Sequence, residues 1–139
     1  MKHQAAPAPL VRLDGLDHVA LYVADPARSE RWYREVLGLE SFSSVEGRHT
    51  FFRCGGRVLL IFHPQRTLES TEVPPHGCTG PGHVAFRVPE EELPAWRDHL
   101  ARHGVAIEQE VEWPRGGRSL YLRDPAGNSV ELAPARIWG

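Results

Sequence analysis

The sequence predicts an α+β fold of paired βαβββ modules, with helices on the outer face and the other sheet face free to enclose a cavity. Three observations carry this. Asp17-His18-Val19-Ala20-Leu21-Tyr22-Val23 and Gly82-His83-Val84-Ala85-Phe86-Arg87-Val88 each open a strand-like run with a histidine. Each run leads into an amphipathic helical stretch stopped by a glycine, Gly38 and then Gly104. Each half then closes on a turn and a last apolar strand, through Cys54-Gly55-Gly56 in the first and Asp124-Pro125-Ala126-Gly127-Asn128 in the second.

Taken in order, Leu16 to Val23 reads as a strand that ends at Asp25-Pro26. Asp25 suits an N-cap and Pro26 the first helical position, where no amide hydrogen is needed. Trp32, Tyr33, Val36 and Leu37 supply the apolar face of the helix that follows. His49 to Phe52 and Val58 to Phe62 then form a hairpin, with further strands expected in the unit. In the second half His83 to Val88 is a strand, and Leu93, Trp96 and Leu100 recur at helical spacing with Pro94 in the first turn. Val105 to Val111, Ser119 to Leu122 and Ser129 to Ala133 complete the strands. The expected organisation is a flexible tail over 1–13 and one domain over 14–139. Within it, module one spans about 14–64, a Pro/Gly/Thr/Ser-rich linker about 65–81, and module two about 82–134.

The 139 residues carry a formal charge of -2, with 41% hydrophobic and 24% charged side chains. This is the profile of a soluble globular chain, without the basic excess that nucleic acid or an anionic membrane demands. Met1 to Leu10 lacks the apolar core of a signal peptide or membrane span. Cys54 and Cys78, the only cysteines, read as free thiols in a reducing cytoplasm.

Strand alternation sorts side chains onto two faces. Val19, Leu21, Val23, Val84, Phe86, Val88, Leu120, Leu122, Val130 and Leu132 form an apolar set suited to the helix-covered side. The opposite set holds His18, Ala20, Tyr22, His83, Ala85, Arg87, Ser119, Tyr121, Ser129 and Glu131. Two imidazoles and a carboxylate, His18, His83 and Glu131, make a facial triad suited to Fe, Mn, Ni, Co or Zn as divalent ions, with positions left open for ligand oxygens. Matching the turn Gly55-Gly56-Arg57 to Ala126-Gly127-Asn128 sets Leu60 in the place of Glu131, so three protein ligands are expected and not four. His63 falls on the other strand face and reads as a structural strand-end residue.

At these residues the chain resembles the vicinal oxygen chelate superfamily, the glyoxalase, bleomycin-resistance and extradiol-dioxygenase group. The marks are the two His-Val-Ala starts, Trp32-Tyr33-Arg34-Glu35-Val36-Leu37-Gly38-Leu39, and Asp124-Pro125-Ala126-Gly127-Asn128-Ser129-Val130-Glu131-Leu132. The resemblance implies strands curled around a metal-bearing cavity, a homodimer whose sites draw on both chains, and metal held by His18, His83 and Glu131. It also implies a small-molecule substrate with vicinal oxygens. Leu60 departs from the four-ligand glyoxalase I and epimerase branches, which leaves fosfomycin-type transferase or lyase chemistry or a single-module dioxygenase. A metal-free drug-binding protein of the bleomycin-resistance kind is the alternative.

Tyr121 is the candidate catalytic residue, at a position similar to one beside the substrate in fosfomycin-type members. Arg118 and Arg87 are candidates for binding an anionic or phenolic substrate, with a solvated arginine the competing reading of each. Tyr121 and His76 are the candidates for a general base, although His76 reads more readily as a surface-loop residue. His99 and His103, four apart on a helix, are expected to face solvent. Trp113 and Trp138 suit either cavity lining or a dimer contact.

Overall fold

A computed structural model describes residues 12–138 and shows two four-stranded mixed sheets of identical connectivity. In the first half the elements are β1 (His18–Tyr22), α1 (Pro26–Glu35), β2 (Glu40–Val45), β3 (His49–Cys54), β4 (Arg57–Phe62) and a short α2 (Pro64–Leu68). The second half holds β5 (His83–Arg87), α3 (Leu93–Arg102), β6 (Gln109–Glu112), β7 (Arg118–Arg123) and β8 (Ser129–Ala133). The sheet orders β1-β4-β3-β2 and β5-β8-β7-β6 superimpose element for element, which confirms the duplication. Residues 1–11, most of the expected tail, lie outside the described residues, as does Gly139. No helix among the described residues is long and apolar enough to cross a membrane.

Local chemistry explains the helix ends. The Asp25 carboxylate accepts from the Arg28 amide at 3.2 Å, and Pro26 occupies the first turn. Gly38 and Gly104 take positive φ, +72° and +67°, the left-handed turn that stops α1 and α3. The apolar strand set then closes over both helices. Leu21, Val23, Tyr33, Phe52, Leu59 and Ile61 of the first half and Leu100, Leu120, Leu122, Val130 and Leu132 of the second belong to one contiguous buried cluster. Each such side chain contributes about 1.5–3 kcal/mol on leaving water.

Four local expectations are corrected. β2 was not singled out from sequence, because Ser41, Ser43 and Ser44 give it little of the β-branched or aromatic character of a strand. It pairs with β3 through a register shift between Ser41 and Ser43. The linker over 65–81 begins inside α2, whose N-cap is His63, with Nδ1 accepting from the Gln65 amide at 3.2 Å. The strand expected over 105–111 is confined to Gln109–Glu112, while Val105 and Ile107 pack onto the core outside the ladder. His99 does not face solvent: it is half-buried, and its Nε2 donates to the Val36 carbonyl at 2.7 Å, tying α3 to the end of α1.

One buried polar knot joins the halves. Asp124 is 4% exposed and accepts from the Tyr33 hydroxyl at 2.8 Å, the Ala126 and Asn128 amides at 2.9 and 2.8 Å, and the Asn128 side-chain amide at 2.9 Å. Asn128 Oδ1 in turn accepts from the Gly82 amide at 2.7 Å, and the Ser129 amide donates to the Gly82 carbonyl at 2.9 Å. Gly82 fits because a Cβ there would press on Leu21 at 3.3 Å. The knot thereby sets β5 against β8 in the register His83↔Ser129 and Ala85↔Glu131.

Burial first, and then the charge and hydrogen bond of Asp124, raise the Tyr33 pKa far above its ordinary value. The folded state therefore holds this proton more tightly than the unfolded chain does. Its stabilisation is complete below the unfolded value of about 10 and is lost as pH climbs toward the folded one. Tyr33→Phe is expected to cost about 1.5–3 kcal/mol at neutral pH. Between pH 10 and 11 its stability should fall less than that of the parent, by about 1 kcal/mol over that interval. Urea unfolding across that range measures both effects.

Candidate metal centre

β5 and β8 lie parallel, so His83 and Glu131 emerge on one face from neighbouring strands, one pleat apart. His83 Nε2 stands 3.2 Å from Glu131 Oε1. His83 Nδ1 lies 3.1 Å from the Ser129 carbonyl oxygen. The Ser129 hydroxyl lies 3.2 Å from the same nitrogen. With the hydrogen on Nδ1, toward the carbonyl, the Nε2 lone pair is aimed at the carboxylate; with Nδ1 accepting from the hydroxyl, Nε2–H donates to Glu131. In the first tautomer the two lone pairs that meet there are suited to a shared cation, and in the second the pair is an ordinary hydrogen bond.

Glu131 is 6% exposed, which an unpartnered carboxylate could not sustain. Its Oε2 accepts from the Ser119 hydroxyl at 2.7 Å, and the Trp113 indole N–H donates to Ser119 Oγ at 2.9 Å. Trp113 thus backs the site through a hydrogen-bonded chain. Tyr121, paired with Glu131 across β7 and β8, stacks on His83 with ring centroids 6.1 Å apart. Its pKa is pushed up to about 12, by burial first and then by the hydrogen bond to Glu131 and that residue's charge. Near neutral pH Tyr121 is therefore a hydrogen-bond donor and not a base.

His18 opens β1, two strands across from β3 in the other sheet, with its side chain on the side opposite the core. Its Nδ1 donates to Asp17 Oδ2 at 2.9 Å, which leaves Nε2 free. The structure thus brings His83 and Glu131 together but leaves His18 apart. Among the described residues no three His, Cys, Asp or Glu side chains of one chain converge to hold a metal. Asp17 and Ser119 were missed as supporting residues. Their signal was position, one beside the first histidine and the other two residues before Tyr121 on the same strand face.

The remaining candidates separate clearly. Arg118 shares its strand face with Leu120 and Leu122, opposite Tyr121, and is held in ion pairs by Glu112 and, at 3.7 Å, by Glu110. This corrects the expectation that it meets a ligand beside Tyr121. Arg87 is exposed on the His83 face and lines a cavity of about 850 Å³ with Arg57, Glu90 and Arg136. His76 is half-buried, with its Nδ1 and the Tyr22 hydroxyl hydrogen-bonded at 2.6 Å. Trp138 is 84% exposed. Leu60 pairs with Ala20 as Glu131 pairs with Ala85, which verifies the equivalence drawn from the turns.

Paired βαβββ modules with a histidine opening each define a fold class, and residues 15–132 match the Glyoxalase/Bleomycin resistance protein/Dioxygenase superfamily. The chain belongs to that superfamily. It is similar to the metallothiol transferase FosB of Bacillus licheniformis, 27% identical over 125 residues that cover 89% of this chain and 77% of that one. It is also similar to the catechol-2,3-dioxygenase of Bacillus subtilis, 28% identical over 88% of this chain but only 43% of that protein. Among solved structures, a lactoylglutathione lyase from Agrobacterium tumefaciens matches with a TM-score of 0.88 and 36% identity, over 91% of this chain and 98% of that one.

If Ser119 anchors the site as described, Ser119→Ala strands both the indole N–H and one carboxylate oxygen. The loss in stability is expected to be about 1–3 kcal/mol. Chemical denaturation measures it, and a midpoint equal to that of the parent would contradict the chain of bonds.

Proposed function

We propose that the chain is a divalent-metal-dependent enzyme acting on a small molecule with two adjacent oxygen donors. The metal is held by His83 and Glu131 of one copy and His18 of a second copy in a homodimer. The observation that carries this reading is the His83–Glu131 pair, whose other polar atoms are all committed away from the space between them. Histidines fixed through Nδ1 to an oxygen acceptor, with Nε2 left free, are the usual form of metal-binding imidazole. A divalent ion with three protein ligands supplies Lewis acidity to substrate oxygens in its open positions. Tyr121, as a neutral donor beside Glu131, hydrogen-bonds an oxygen in which negative charge develops. Arg87 offers a cation to an acidic substituent at the far end of β5.

The second copy is supported by sheet topology. Among the described residues β1 and β5 are both edge strands, each unpaired on one side, and an open edge is a template for another strand. Laying β1 of one copy along β5 of the other brings His18 beside His83 on one polar face. The relatives named above support metal chemistry on a small molecule. Leu60 supports the three-ligand kind, which favours fosfomycin-type transfer or oxygenation. A reduced state of Cys54 and Cys78 is consistent with a cytoplasmic setting.

Protein prepared without chelator is expected to carry one divalent ion per chain, and His83→Ala to carry none while remaining folded by circular dichroism. A metal-free parent would favour the drug-binding alternative. Mixing His18→Ala with His83→Ala chains under subunit exchange should restore metal, because one site of each mixed dimer keeps all three ligands. No restoration would mean that the site is not shared between copies.

A further inference from the structure

The matching registers give the polar site of module two a counterpart in module one, and its chemistry is the opposite. Leu60 stands for Glu131, Val58 for Ser129 and Phe51 for Tyr121. His49 precedes Phe51 by two residues, as Ser119 precedes Tyr121. In place of ligands this face carries an aromatic wall. His49 and Phe51 stack with centroids 4.0 Å apart and planes at 13°, and Phe51 meets Phe62 edge-on at 5.4 Å. His76 closes one end, 5.0 Å from Phe62.

His49 belongs to this wall as an apolar ring. Arg48 Nη1 lies 2.5 Å from its Nδ1, and because a guanidinium only donates, Nδ1 is unprotonated. Nε2 then holds the hydrogen, toward Ser43 Oγ at 3.3 Å. Burial and the Arg48 charge both lower the His49 pKa, in agreement with a neutral ring.

The rim of the wall is cationic. Arg48 lies over the Phe62 ring at 5.7 Å and Arg53 over Phe42 at 4.2 Å. Neither Arg48 nor Arg53 is in an ion pair with a carboxylate among the described residues, a condition that Arg28, Arg31 and Arg57 among others share; what sets these two apart is their place over the rings of this face. The wall also shares its sheet face with His18, since His18, Ala20, Leu60 and Phe51 all point away from the core. Two strand spacings and two residues separate His18 from Phe51, a reach of about 12 Å, the span of a body of one or two rings.

We infer that the substrate is an organic anion with a planar, apolar body: its oxygen donors at His18, its rings on the half-buried Phe51, with the buried Phe62 packed behind, and negative charge answered by Arg48 and Arg53. This rests on the metal reading above for where the oxygens go, but the wall and its rim are independent of it. Charge complementarity selects this occupant over a neutral apolar one.

The test uses three probes on the metal-loaded full chain: 3-hydroxy-2-naphthoate, with rings, charge and adjacent oxygens; 2-naphthol, with rings alone; and oxalate, with oxygens alone. Calorimetric titration should show the naphthoate binding at least tenfold more tightly than either of the others. Phe51→Ala should weaken the naphthoate about tenfold without changing metal content or oxalate affinity, and Phe51→Leu serves if the alanine variant does not fold. Arg48→Gln combined with Arg53→Gln should weaken the naphthoate and spare 2-naphthol. Equal binding of oxalate and naphthoate, or indifference to Phe51, overturns the inference. So does failure of both naphthalenes to bind a protein that holds metal, the result expected if side chains of a second copy fill the wall. Phe51-dependent naphthoate binding by a chain that holds no metal would uphold the wall and discard the metal reading alone.

Discussion

The arrangement depends on the buried carboxylate of Asp124. A charge this deep is tolerated only when its lone pairs are satisfied, and here Tyr33, Ala126 and Asn128 supply four hydrogen bonds from a helix in one half and a turn in the other. The consequence reaches the functional face through Asn128, which captures the Gly82 amide. That capture fixes where β5 begins against β8. A slip of one residue would turn His83 toward the core and Val84 toward the ligand face. The polar knot thus converts a structural necessity, a satisfied buried charge, into positional accuracy for His83 and Glu131, the two side chains of the proposed metal site.

Much of this was legible in the sequence because duplication and strand parity are periodic signals. The His-Val-Ala starts, the Asp25-Pro26 helix entry and the Gly38 and Gly104 stops are local chemistry that tertiary structure does not override. Parity placed His83, Glu131 and Tyr121 on one face and Leu120, Leu122 and Val130 on the other. Applied to Arg118 it would also have shown the arginine on the wrong side, since 118 is in step with 120 and 122. What stayed hidden depends on contacts distant in sequence. The serine-rich β2 is a strand because β3 pairs with it, and His99 is half-buried because the end of α1 happens to lie against α3. The separation of His18 from its expected partners follows from how two sheets are arranged, which no period along the chain encodes.

The two faces of the duplicated unit have diverged into complementary chemistries. Module two keeps a satisfied carboxylate backed by Ser119 and Trp113, a support that orders Glu131 without consuming the oxygen nearest His83. Module one has exchanged each of those polar positions for a ring or an aliphatic side chain while keeping its histidine. A site drawing on one face of each kind would pair a rigid polar centre with a broad apolar contact surface, the division of labour usual in small-molecule pockets.

The equivalence of Leu60 and Glu131 has an evolutionary consequence. The same backbone, with the same neighbours across the strands, carries a donor in one half and none in the other. The number of ligands offered to a metal is therefore a property of one side chain and not of the fold. In the proposed site a change at position 60 alone would take three donors to four, with the architecture untouched and only the number of places left for substrate altered.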